Sequence, residues 1–225
     1  AILAGLDDVP GVTVNRYCSS SLQTIRMAAH AIMAGEGDCF IAAGVETVSR
    51  YQHGASDMAP NPIFKGPGER TKLRSAGGQP TWTPAQGMAD AYISMGQTAE
   101  NVADYADVSR ERMDEFAALS QQRAVQSQQN GFFEREITPL TLPDGTVVSK
   151  DDGPRAGTTA EGLAGLKPVF RPDGQITAGN ACPLNDGAAA VIVMSDTKAK
   201  QLGIKPLARI VSSGVSGLNP EIMGL

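Results

Sequence analysis

Between residues 10 and 45 the apolar pattern changes period twice, and that constrains the fold more than any other stretch. PGVTVNRY at 10–17 alternates β-branched and polar residues, which predicts a strand. From residue 19, SSSLQTIRMAAHAIMAG spaces Leu22, Ile25, Ala29 and Ile32 at helical intervals and meets a stop at Gly35. CFIAAGV at 39–45 is continuously apolar, the pattern of a short strand buried on both faces. Strand, helix and strand in this order predict a parallel βαβ unit and an α/β class.

The periodicity then vanishes from about 50 to 87, a Gly- and Pro-rich stretch that predicts a long functional connection. The sequence has 225 residues with 25 Gly and 14 Pro, enough for one or two domains with long connections. MGQTAENVADYADV is helix-like, and Ser109 is placed to cap a longer helix through about Asn130, closed by Gly131. Met113, Phe116, Ala117 and Ala124 form that helix's expected apolar stripe. Residues 139–178 are mixed, with short apolar pieces (LTL, TVV, KPVF). A buried strand is predicted at Ala188–Met194, a short helix at 197–203 and another strand at 206–215. The layout is a core, a long insertion and a return to the core.

Composition excludes several classes. The net charge of -5 leaves no basic footprint for nucleic acid. No apolar run is long enough to span a bilayer, so no membrane partner is expected. AILAGLDDVP lacks the basic start of a secretory leader, and a cytoplasmic protein is expected. Both ends of the chain read as cuts in a longer one. Cys18, Cys39 and Cys182 have no C-x-x-C spacing and only His30 and His53 to join them, so no metal site is predicted. An odd, sparse cysteine count fits a reducing compartment.

Cys18 stands where the predicted strand meets the predicted helix. A helix N-terminus presents unpaired N–H groups and partial positive charge, which stabilise a thiolate and can hold an oxyanion. Ser19, Ser20 and Ser21 would keep the turn small and polar. On position alone, inert packing is the commoner use of a lone cysteine. Cys39, inside the apolar strand, is expected to be core, and Cys182, in a Gly/Asn turn, is intermediate.

VTVNRYCSSSLQTIRMAAHAIMAGEGDCFIAAGVETVSR resembles the nucleophile segment of the thiolases, the acyl-CoA C-acyltransferases. MGQTAENVA, PRAGTTAEGLAGLKPVF, DGQITAGNACPLNDGAAAVIVMS and PEIMG resemble later thiolase segments in the same order. The resemblance implies a layered αβαβα thiolase fold, here an incomplete N-terminal half with an inserted loop domain and the start of a C-terminal half. It assigns 1–48 to the N-terminal core, 49–178 to a CoA-binding loop domain, 179–204 to the core return and 205–225 to the C-terminal domain. The implied nucleophile is Cys18. The implied CoA and substrate contacts are Met95, Arg155, Phe170, Ala178, Cys182 and Met223, with ordinary core or solvated charge as their bland alternatives. Coenzyme A enters as substrate, with no tightly bound cofactor and no metal, and a homodimer or homotetramer is implied.

The chain departs from the family pattern at Ser94, where many thiolases have His, at Cys182, where many have Ser, and at Ser21, where Gly is frequent. Cys182 is also a conceivable disulfide partner for Cys18 on oxidation. The family's Gly-His-Pro and Cys-x-Gly segments do not occur in these residues. His30 lies over three helical turns from Cys18, about 18 Å along an axis, too far to be its base. These 225 residues alone are therefore expected to turn over little, and to fold poorly in isolation. A ketoacyl-synthase-like condensing enzyme and a non-catalytic acyl-CoA-binding module are the alternatives.

Overall fold

The computed structural model describes residues 1–50 and 60–225. His53 lies outside them. The helices are α1 (Ser20–Ala34), α2 (Lys65–Ser75), α3 (Met95–Tyr105), α4 (Arg110–Gln129), α5 (Ala160–Ala164) and α6 (Asp196–Gln201). The strands are β1 (Cys39–Glu46), β2 (Leu140–Thr141), β3 (Val147–Val148) and β4 (Gly187–Met194). The chain divides into two units, Ala1–Ala55 with Leu184–Ser216 and Ser56–Pro183 with Gly217–Leu225.

In the first unit β1 and β4 pair antiparallel, Cys39 opposite Met194 and Glu46 opposite Gly187. This corrects the expected parallel βαβ unit. Residues 10–17 form no strand beyond a single bridge between Arg16 and Cys18, and 206–215 form none. Alternation of side-chain type is a local signal, and a strand needs a partner to hydrogen-bond. Helix α1 lies on one face of the sheet, where Ala28, Ala42 and Val193 make a small core with Ile25, Ile32 and Phe40. The opposite face carries Ile41, Val45 and Ile192, 59%, 74% and 64% exposed. Two-sided burial of the apolar run is thus not what the described residues show, and Cys39, expected in the core, is exposed. Leu22 also falls off the buried face of α1, at 68% exposed. Gly35, at φ 79, closes α1 as expected. Asp186 ties the start of β4 to the chain after β1, accepting from the Ser49 backbone N–H and hydroxyl at 2.8 and 2.5 Å. Those two bonds hold its carboxyl below the usual carboxylate range.

In the second unit α2 occupies part of the stretch expected to lack structure. Its sequence, KGPGERTKLRS, has no apolar stripe, so periodicity was silent. Pro67 is tolerated because it sits in the first turn, where its missing N–H leaves no bond unmade. Tertiary bonds hold the helix instead. Thr71 donates to Asp90 at 2.6 Å, Arg70 to the Met88 carbonyl at 2.6 Å and Arg74 to the Pro80 carbonyl at 2.9 Å. Helix α4 starts on Ser109, whose hydroxyl accepts from the Arg112 N–H, and ends before Gly131 at φ 75, as expected. Its buried residues are Asp114 and Ala118, whereas Phe116 points out at 70% exposed. The strands β2 and β3 make a short hairpin.

Candidate functional site

Cys18 is exposed, and α1 begins two residues after it, at Ser20. The turn that presents it is fastened by backbone geometry and one hydroxyl. Tyr17 sits at φ 49, in the left-handed region that costs an L-residue roughly 1–2 kcal/mol. Ser20 accepts from the Arg16 N–H at 2.8 Å and donates to the Tyr17 carbonyl at 2.6 Å. Asn15 accepts from the Tyr17 N–H at 2.9 Å, and the Ser19 N–H reaches the Arg16 carbonyl at 3.1 Å. Ser20 is therefore a structural clamp, while Ser19, at the helix cap, makes no side-chain cap bond. The start of α1 rests on β1 at Gly44, where an added Cβ would lie 1.8 Å from the Ser21 hydroxyl. A side chain at 44 would force the Ser21 hydroxyl to turn away, since the Ser21 Cα is 3.7 Å off and clear of it.

The other expected contact residues lie in the second unit. Met95 opens α3 and is half exposed. Phe170 is half-buried, and its ring tip fills the space over Gly96, where a Cβ would come within 2.1 Å of it. The Phe170 carbonyl accepts from the Gln97 amide at 2.7 Å, so ring and carbonyl both pin this bend to the first turn of α3. Gly96→Ala is expected to destabilise the protein by about 1–3 kcal/mol and to displace Phe170, read as a lower denaturant midpoint.

Ala178 and Cys182 are exposed, on or beside a turn fastened by Asn180. Asn180 donates to Asp114 and to the Gln175 carbonyl, each at 3.0 Å, and accepts from the Thr177 N–H at 2.8 Å. Arg155 is exposed and held by its backbone, its N–H donating to Gln121 of α4 at 2.7 Å. Met223 ends a 3-10 turn, Pro220–Ile222, that packs on α3, and is half exposed. Of the six expected contacts only Met95 lies on a helix, Met223 closes the 3-10 turn, and Arg155, Phe170, Ala178 and Cys182 lie on the connections. All three cysteines are free thiols.

What sequence reasoning missed is the buried polar scaffold beneath them. Glu100, 2% exposed, accepts from the Gln175 and Ile176 N–H groups at 2.9–3.1 Å. Arg171, also buried, bonds Gln97, Asn101 and Asp104. The Arg74 guanidinium, on the same Asn101 and Asp104, is pushed below the usual arginine range by burial first and the Arg171 charge second. Among the described residues no group of three His, Cys, Asp or Glu could hold a metal ion. No described helix is long and apolar enough to cross a membrane.

The family model for the thiolase N-terminal domain matches residues 1–197. The chain belongs to the thiolase family. It is 45% identical to the beta-ketoadipyl-CoA thiolase of Acinetobacter baylyi, over 100% of this chain and 56% of that protein. It is 44% identical to an acetyl-CoA acetyltransferase of Pseudomonas aeruginosa, with the same coverage. Among solved structures, the dimeric peroxisomal thiolase of Saccharomyces cerevisiae superimposes with a TM-score of 0.84 at 36% identity, covering 99% of this chain and 53% of that one. The fold is that of the thiolases, and the chain spans about half the length of the relatives it matches.

Proposed function

We propose that these residues supply the nucleophile and much of the CoA site of an acyl-CoA C-acyltransferase. The Cys18 thiolate attacks the C3 carbonyl of a 3-ketoacyl-CoA. The C2–C3 bond breaks with its electron pair on C2, which takes up a proton and leaves as acetyl-CoA. The thiolate of a second CoA then attacks the thioester on Cys18 and carries the acyl group away. Run backward, two acyl-CoA molecules condense. A thiol suits both directions, being a strong nucleophile and a good leaving group.

The observation that carries the reading is the Cys18 turn. An exposed thiol sits after a left-handed Tyr17 and ahead of α1, held by the Ser20 clamp rather than by packing. Residues 49–178 act as the CoA-binding loop domain between core segments 1–48 and 179–204, with 205–225 opening the C-terminal domain. Arg155 faces the nucleotide end of CoA, and Met95, Phe170, Ala178, Cys182 and Met223 border its pantetheine arm. The histidine and second cysteine that move protons belong to the longer protein. That protein is read as a cytoplasmic homodimer or homotetramer with no tightly bound cofactor. Dimeric assembly in the yeast relative supports the oligomer.

Incubating the longer protein with acetoacetyl-CoA, quenching in acid and mapping peptides should find one acetyl group, on Cys18. Cys39 and Cys182 are exposed too and serve as internal controls. Acetyl found on either of them instead of Cys18 would overturn the assignment.

A further inference from the structure

We propose that Glu221 is a positioning residue for the acyl-CoA site, acting through Met223. The inference rests on the reading of Met223 as a wall of the pantetheine tunnel. Glu221 is 6% exposed, and both carboxylate oxygens are engaged. Oε2 accepts from the Trp82 indole N–H at 2.8 Å and Oε1 from the Asp90 backbone N–H at 2.9 Å. Arg70 Nη2 stands 3.8 Å from Oε1. The main chain is tied as well, since the Glu221 carbonyl accepts from Asn101 Nδ2 of α3 at 2.8 Å. One residue thus joins the segment Gly217–Leu225 to α2, to α3 and to the chain between them.

A buried carboxylate is costly unless fully paired, and burial of Ile222 alone would dock this turn by its apolar surface. What paired bonds add is register, because a carboxylate with donors on two sides fits one placement and a sliding apolar contact fits several. Packing on α3 holds one side of the turn and leaves the carboxylate side to its bonds. Glu221 borders a cavity of about 210 Å³ whose wall also includes Arg70, Trp82, Gln97 and Arg171, so without its bonds the turn has room to shift. Met223 follows two residues later on a turn preset by Pro220 and by the Asn219 side chain, which accepts from the Glu221 N–H at 2.9 Å. Gly224 then passes within 3.7 Å, measured from a notional Cβ, of Val102 on α3. The path from the carboxylate to the Met223 backbone is two residues long.

The test is steady-state thiolysis by the longer protein carrying Glu221→Gln, Met223→Ala or both. The glutamine keeps one acceptor, so either Trp82 or Asp90 meets an N–H instead of an oxygen. Glu221→Gln should raise KM for CoA about five- to twentyfold and change kcat less than about twofold, the pattern of lost uniform binding. Added to Met223→Ala it should change KM less than about twofold, since both act at one point. Trp82→Phe, which removes only the indole donor, should raise KM in the same sense by less and guards against misfolding of the glutamine variant. A raised KM in Met223→Ala with an independent further rise from Glu221→Gln would overturn the proposal alone. A Met223→Ala enzyme with unchanged KM would overturn the reading of Met223 and the proposal with it. In both cases acetyl transfer to Cys18 is measured separately, so loss of the nucleophile assignment is told apart.

Discussion

Cys18→Ala in the longer protein should abolish thiolysis, by at least about a thousandfold, and leave stability within about 0.5 kcal/mol. The two halves of that expectation come from different observations. The chemistry fails because no other group at residues 16–20 is a comparable nucleophile, and an alanine cannot carry the acyl group. Stability survives because the thiol is exposed, while the turn is held by Ser20, Asn15 and the Tyr17 backbone. Rate is read by loss of acetoacetyl-CoA absorbance, stability by denaturant unfolding of the same sample. A variant that lost stability along with activity would mean that Cys18 is packing after all.

Arg171→Ala should have the opposite profile, with a loss of about 3–5 kcal/mol in stability. Arg171 is 7% exposed and donates to Gln97, Asn101 and Asp104. Truncation leaves the Gln97 side-chain oxygen without its donor and leaves Asp104 with Arg74 alone, at 3.5 Å. Relief of the repulsion between Arg171 and Arg74 works the other way. It offsets only part of the loss, because truncation removes all four hydrogen bonds of the Arg171 guanidinium. The midpoint of denaturant unfolding should fall with its slope unchanged. A loss below about 1 kcal/mol would show that water replaces the guanidinium in this network.

The sequence made some features legible and hid others, for reasons that differ by residue. Helix boundaries at Gly35, Ser109 and Gly131 could be read because caps are local chemistry. The run CFIAAGV declared a strand but neither its antiparallel partner nor which face would be covered, since both depend on residues far along the chain. Helix α2 was invisible because its stability comes from Arg70, Thr71 and Arg74 reaching other segments. At the site, Cys18 is proposed through family resemblance, and the structure leaves it exposed along with Cys39 and Cys182. The buried polar faces of α3 and α4 were the hardest to see. Gln97, Glu100, Asn101 and Asp114 look like solvent-facing residues on a helical wheel, and only their distant partners reverse that. Polar residues recurring at three- and four-residue spacing within MGQTAEN were the one available signal.

The bond from Trp82 to Glu221 closes a loop of 139 residues. At roughly 5–20 residues per second a ribosome needs on the order of 7–30 s to travel that far. Trp82 waits that whole interval, and Asp90 and Asn101 the last 131 and 120 residues of it, without the carboxylate and carbonyl that satisfy them in the finished unit. The turn Pro220–Ile222 therefore completes those bonds only after the rest of the second unit has been synthesised.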